Sequence, residues 1–264
     1  MQQKLLFLLV VLIMLLTACA TNNQKDTKEN DSSSEETTEL FISAAASLTD
    51  AMDELQKIYE AENNVMLTFN FGGSGKLAQQ IQQGAPVDLF ISANENWLQT
   101  LIDEKLINAA TKVDVTGNKL VLIAHDNSDL AYQSFPEIDL KDLTNVAIGK
   151  PESVPAGEYT KEALMSIDRW DGLESHIVYA QDVRQVLTYV ETGNAEIGFV
   201  YESDALSSEQ VKVLAKADES MHDPIVYPAG VTTDSNYEEE AQQFLDFMTS
   251  EVAQEILATY GFTK

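Results

Sequence analysis

From residue 40 onward the chain alternates short apolar runs with stretches in which apolar side chains recur every three or four residues. Leu40 to Ala46 is an apolar run that stops at Ser47, and Leu48, Met52, Leu55 and Tyr59 then mark one face of a helix over 48–60. Ser47 thus falls at a strand-to-helix turn, in the N-cap position. Val65, Leu67, Phe69 and Phe71 alternate with smaller or polar neighbours, which predicts a second strand. It runs into Gly72-Gly73-Ser74-Gly75-Lys76, and Leu77, Ala78 and Ile81 at helical spacing open another helix. A third strand over 87–92, a helix around 95–104 and a fourth strand over 119–124 complete a first series.

A second series repeats the alternation. A short strand over 146–149 leads through a Pro-containing turn to Ala156-Gly157, which open a helix with Tyr159, Ala163, Leu164 and Ile167 on one face. A strand over 177–179 precedes a stripe of Val183, Val186, Leu187 and Val190, and a strand over 196–201 ends in Tyr201, with Ser203-Asp204 capping a short helix. Strands over 211–214 and 225–227 and helices over 237–249 and 251–260 follow, with Gly261 just past the last helix. This order predicts an α/β fold with largely parallel sheets. The last strand and helices come after the second series, so the chain returns to its first lobe. Residues 40–121 and 226–264 form one lobe and 122–225 the other. Two lobes with two crossings make a hinged, clam-like body that can enclose a ligand.

The first 39 residues break the pattern. Lys4 followed by Leu5 to Leu16 is a charged n-region and an apolar h-region too short to span a bilayer as a mature helix. It ends in Leu16-Thr17-Ala18-Cys19, which resembles the lipobox of bacterial lipoproteins, where the cysteine is lipidated and becomes the mature N-terminus. Residues 1–18 are expected to be a lipoprotein signal peptide and Cys19 the lipidation site, with a plain secretory peptide as the alternative. The protein would then be lipid-anchored to the cell membrane on its extracytoplasmic side. Cys19 is the only cysteine, so no disulfide competes for its thiol. Residues 19–39 are read as a flexible acidic tether, because 20–39 hold no large apolar side chain.

Charge narrows the partners. The chain carries 43 acidic against 16 basic side chains, a formal net charge of −27. Nucleic acid is excluded, since phosphate backbones need a basic footprint. So acidic a surface also attracts no anion at long range. Any anion site must work through short-range groups.

Enzyme constellations are thin. His125, His176 and His222 are far apart and lack metal-ligand spacing. Gly73-Ser74-Gly75-Lys76 is not a P-loop, because Leu77 stands where Ser or Thr would bind magnesium and Asn70 where the first glycine belongs. What remains is four strand-to-helix turns, at Ser47, Ser74, Ala156 and Val183, and the strand-end Tyr201. Ligands of open α/β sheets bind beyond the carboxyl ends of the strands, so these turns can share one cleft. Helix starts offer unpaired N–H groups and partial positive charge, and Ser47, Ser74 and Tyr201 add hydroxyls. Neutral donors of this kind suit a fully deprotonated oxyanion. Helix capping would equally account for Ser47, and core or turn packing for Ala156 and Val183.

The motifs at these turns resemble the molybdate-binding protein of the bacterial molybdate ABC importer. Ala44-Ala-Ala-Ser47-Leu-Thr49, Phe71-Gly-Gly-Ser74-Gly-Lys-Leu-Ala78 and Gly84-Ala-Pro-Val-Asp-Leu-Phe-Ile-Ser-Ala93 carry the likeness in the first lobe. Val154-Pro-Ala156-Gly157, Gln181-Asp-Val183-Arg184, Gly198-Phe-Val-Tyr201-Glu-Ser-Asp-Ala205 and Tyr260-Gly-Phe262 carry it through to the end. The resemblance implies the type II periplasmic-binding-protein fold, two α/β lobes joined by a two-stranded hinge. It implies that Ser47 and Ser74 bind the anion through hydroxyl and backbone N–H, Ala156 and Val183 through backbone N–H, and Tyr201 through its phenol. Molybdenum would enter only as molybdate, held through its oxygens, with tungstate as a second ligand, no cofactor and no catalytic residue. The partners implied are an ABC permease and its ATPase, and the protein itself is a monomer. Lys76 and Arg184 border two of the turns and are read as solvated surface charges, with direct contact to the anion as the alternative. Three rivals stand: a receptor for sulfate, phosphate or a small organic anion, an extracytoplasmic hydrolase using Ser47 or Ser74, and a ligand sensor for a membrane signalling protein.

Overall fold

Period-two and period-3.6 patterning assembles into two five-stranded mixed sheets flanked by helices. The computed structural model describes residues 37–139 and 143–264. The first sheet gathers β1 (Thr38–Ala45), β2 (Val65–Gly72), β3 (Leu89–Ile91) and β4 (Val113–Gly117), with α1 (Thr49–Glu62), α2 (Ser74–Gln82) and α3 (Glu95–Asp103) between them. The chain then enters the second sheet with β5 (Leu120–His125), β6 (Val146–Gly149), β7 (Ile177–Ala180), β8 (Ile197–Tyr201) and β9 (Val211–Lys216). Helices α4 (Pro155–Ser166), α5 (Trp170–Leu173), α6 (Val183–Glu191) and α7 (Glu202–Leu206) belong to this half. β10 (Val226–Val231) returns to the first sheet, followed by α8 (Glu238–Met248) and α9 (Glu251–Thr259).

The strand orders are β2-β1-β3-β10-β4 and β7-β6-β8-β5-β9. Each sheet has three parallel strands, then one strand antiparallel to both its neighbours. In both sheets the reversed strand, β10 or β5, is the one that arrives from the other half. It enters at the end where the others finish. The carboxyl ends of β1, β2, β6, β7 and β8 therefore all point toward the region where the chain crosses over, as ligand-binding α/β sheets require.

Burial follows the patterning. Met52, Leu55 and Tyr59 are buried on α1, with Leu48 buried just ahead of it, and Val183, Val186, Leu187 and Val190 are buried on α6. Three features differ from expectation. β1 begins at Thr38, so Thr38 and Glu39 belong to a strand rather than to the tether expected over 19–39. β4 was not foreseen: Val113 and Val115 alternate with Asp114 and Thr116, but two apolar side chains make too short a period-two run to mark a strand. The crossing from the first sheet lies at 118–119, so the lobe boundary expected at 121/122 falls inside β5. Beyond the fold, Cys19, the segment 1–18 and most of the expected tether lie outside the described residues.

Candidate functional site

Each of the five expected positions sits where a strand hands over to a helix or turn. Ser47 lies in a 3₁₀ turn (Ala46–Leu48) between β1 and α1, and the N-cap of α1 is Leu48. The expected capping role is therefore corrected. The buried Ser47 hydroxyl points away from its own helix and lies 2.8 Å from the Tyr227 hydroxyl on β10. Ser74 is the first residue of α2, and its hydroxyl accepts the Ala93 backbone N–H at 3.0 Å. Ala156 follows Pro155 at the start of α4, where proline is preset for a helical first turn and lacks an N–H to satisfy. Val183 opens α6, and the Asp182 side chain caps that helix by accepting the Gln185 N–H at 2.9 Å. The N–H groups of Ser74, Ala156 and Val183 lie in first turns, where no intrahelical acceptor exists.

Tyr201 ends β8 at 1% exposure, yet its hydroxyl has no hydrogen-bond partner among the described residues. Burial, and then the neighbouring Tyr227, push its ionisation well above the usual tyrosine value. The group stays a neutral donor. A buried hydroxyl without a partner costs about 1–3 kcal/mol, so its persistence marks a place where something else is meant to accept.

The structure brings all five residues to one cavity. Ser47, Ser74, Ala156, Val183 and Tyr201 line it together with Ala45, Ala46, Gly72, Gly73, Ala93, Val154 and Pro155. No lining residue is charged, and none carries a carboxylate. About 10 Å³ of it is open to the centre of a water molecule, room for about one water.

It is that small because the two halves are shut. The Gly75 N–H donates to the Ser153 carbonyl across the cleft at 2.9 Å. A Cβ on Gly73 would meet the Gln181 carbonyl oxygen at 2.6 Å, and one on Gly75 the Ser153 Cα at 2.7 Å. Only glycine lets the backbones approach this closely. At one rim, Asn94 and Asn96 donate to Glu158 at 2.6 and 3.2 Å, and burial raises the Glu158 carboxyl above its ordinary value. At the other rim, Arg184 of α6 reaches across to Asp50 of α1.

Arg184 also touches its own half. Its Nε lies 2.9 Å from Oδ1 of the fully buried Asp204, a contact without hydrogen-bond alignment. Burial pushes the Asp204 carboxyl up to about 7, against the opposing pull of Arg184 and of the Tyr201 backbone N–H that it accepts. Arg184 is thus no solvated surface charge, which corrects the expectation. Lys76 is exposed and lines no part of the cavity. Among the described residues no cluster of His, Cys, Asp or Glu could hold a metal ion.

Sequence reasoning missed the layer behind the cavity, namely Tyr227, Asn118, Asp50 and Asp204. Tyr227 reads as one apolar residue in a short strand and Asn118 as a loop residue. The only available signal was a polar tip on an otherwise apolar run. Gly73 and Gly75 were noticed as a turn, but the backbone they face is contributed by residues 153 and 181 and has no local trace.

Two α/β halves closed over a donor-lined cavity at the carboxyl ends of their strands define a solute-binding protein. The chain belongs to the bacterial extracellular solute-binding protein family, whose profile matches residues 40–263. It is 44% identical over 225 residues to YvgL of Bacillus subtilis (strain 168), provisionally described as an ABC transporter substrate-binding lipoprotein, covering 85% of this chain and 86% of that one. It is 40% identical over 232 residues to the molybdate-binding protein ModA of Escherichia coli (strain K12), covering 85% and 89% respectively. A solved substrate-binding domain from Clostridium difficile, assigned provisionally to a molybdenum ABC transporter, superposes with a TM-score of 0.65 at 42% identity. That match covers 86% of this chain and 99% of the other.

Proposed function

We propose that this protein is a non-catalytic receptor that captures molybdate, and tungstate with it, outside the cytoplasm and delivers it to an ABC importer. The observation that carries this reading is the unpartnered Tyr201 hydroxyl, buried in a cavity that Ser47, Ser74, Ala156 and Val183 also line. Hydroxyls and helix-start N–H groups can replace the water shell of a dianion, and charge-assisted bonds of this kind offset its desolvation. A protonated anion also needs an acceptor, and the cavity wall has no carboxylate to supply one. The cavity holds about one water, so the halves part to admit the anion and reclose around it. A hydrolase would need a base beside its serine. The partner of Ser47 is a phenol and that of Ser74 a backbone N–H.

The permease and ATPase are the partners, and the relationship to a described lipoprotein supports the anchor at Cys19. The protein acts as a monomer. The test is calorimetric titration with molybdate, tungstate, sulfate and phosphate, backed by melting curves. A ligand at a hundred times its Kd adds about 2.7 kcal/mol to stability. Tight binding of molybdate and tungstate is expected. Equal or tighter binding of sulfate or phosphate would move the reading to another oxyanion receptor.

A further inference from the structure

The two serines facing the cavity are held by different devices. Ser74 Oγ accepts the Ala93 N–H at 3.0 Å. A backbone N–H can only donate, so the Ser74 proton is left for the cavity. Ser47 Oγ has no such fixed donor. It lies 2.8 Å from the Tyr227 hydroxyl, and by that contact alone the proton between them could belong to either oxygen.

Asn118, in the crossing from β4 to β5, decides which. Its Oδ1 accepts the Lys119 N–H at 2.9 Å, and this sets the amide orientation. Its Nδ2 then donates to Ser203 Oγ at 2.9 Å and to the Tyr227 hydroxyl at 3.3 Å. Tyr227 is fully buried, so its own proton needs an acceptor, and the amide nitrogen of Asn118 is not one. Ser47 Oγ is the acceptor in reach. Edge-on packing against Tyr201 and Phe262, with ring centroids 5.9 and 5.6 Å away, locks the Tyr227 ring in place.

We propose that Tyr227 and Asn118 are positioning residues that relay hydrogen-bond direction from the crossing segment to Ser47, holding its hydroxyl as a donor toward the bound oxyanion. The proposal rests on the oxyanion-binding reading above. The order is Asn118 N–H to Tyr227, Tyr227 O–H to Ser47, and Ser47 O–H to the anion. A site wired this way favours an anion that only accepts and disfavours one carrying its own proton.

The test is titration of the full chain with molybdate and with hydrogen phosphate at mildly alkaline pH, where both are dianions, so that charge cancels in the affinity ratio. Tyr227→Phe is expected to weaken molybdate roughly tenfold, the scale of one hydrogen bond to a charged group. Phosphate affinity should fall less or rise, since Ser47 is then free to accept. In the Ser47→Ala background, Tyr227→Phe should change molybdate affinity little further. Asn118→Asp, whose carboxylate draws the Tyr227 proton away from Ser47, should shift the ratio the same way with the phenol retained, and it gives the answer if Tyr227→Phe does not fold. Proportional loss for both anions, or additive losses in the double variant, overturns the relay. If the wild type binds no molybdate, the functional reading falls and the relay with it. Molybdate binding with an unmoved ratio removes the relay alone.

Discussion

The two walls of the cleft present similar groups made of different material. The first-sheet wall offers hydroxyls, Ser47 after β1 and Ser74 after β2, each paired with another protein group. The second-sheet wall offers mainly backbone, at Ala156 and Val183, where the side chains only pack, plus the Tyr201 hydroxyl that has no partner among the described residues. A hydroxyl can be deleted by one substitution, whereas an N–H survives any residue that keeps the helix start. The first wall is therefore fragile in sequence and the second robust, and the site is complete only when the walls meet.

Keeping the walls apart should have the largest effect. In Gly73→Ala the new Cβ meets the Gln181 and Ser153 carbonyl oxygens and the Val154 side chain, all on the opposite wall. The backbone of Gly73, at φ −66°, accepts alanine readily. Unliganded melting should stay near wild type while molybdate affinity falls on the order of a hundredfold or more, as the second wall's donors lose register. Wild-type affinity in this variant would mean that closure is not needed.

Deleting single hydroxyls comes next. Ser47→Ala, Ser74→Ala and Tyr201→Phe should each cost about ten- to a hundredfold in titration, one hydrogen bond to a charged group. Their stabilities should diverge. Ser74→Ala strands the Ala93 N–H and lowers the melting temperature, whereas Tyr201→Phe removes a buried orphan and raises it. A Tyr201→Phe protein that binds normally would break the site assignment.

Behind the second wall, Asp204 adds a pH dependence. Its carboxyl, at about 7 when folded against 3.8 ordinarily, holds its proton more strongly in the native state than in the unfolded chain. Stability should therefore fall as pH rises across that window and level off above it. Asp204→Asn should flatten this slope in melting curves at constant salt.

The smallest effect on binding is expected from Val183→Ala, which keeps the N–H. Affinity should stay within about twofold, with a modest loss of stability from a buried methyl pair. A tenfold loss would show that this wall depends on side chains after all.

Much of this was legible along the chain. The strand-to-helix alternation, the return of the last segment to the first lobe and the turns at Ser47, Ser74, Ala156 and Val183 follow from periodicity, which is local. β4 was missed because Val113 and Val115 are its only large apolar side chains, too short an alternation to mark a strand, and the matching strand orders of the two sheets leave no repeat in the sequence. Ser47 looked like a helix cap because a cap and a ligand-facing serine share the same local pattern. The difference is made by Tyr227, 180 positions away.

The sequence by itself determined which backbone turns end in N–H groups and which of those carry hydroxyls, since propensity and patterning act over a few residues. The tertiary structure alone decided that the turns converge, that Gly73 and Gly75 let the walls touch, and that Tyr201 is left without an acceptor. It also gave Arg184 partners on both walls. Those outcomes depend on distances between segments that are not neighbours in the chain, 134 positions apart for Arg184 and Asp50, and such distances are set by how the sheets pack.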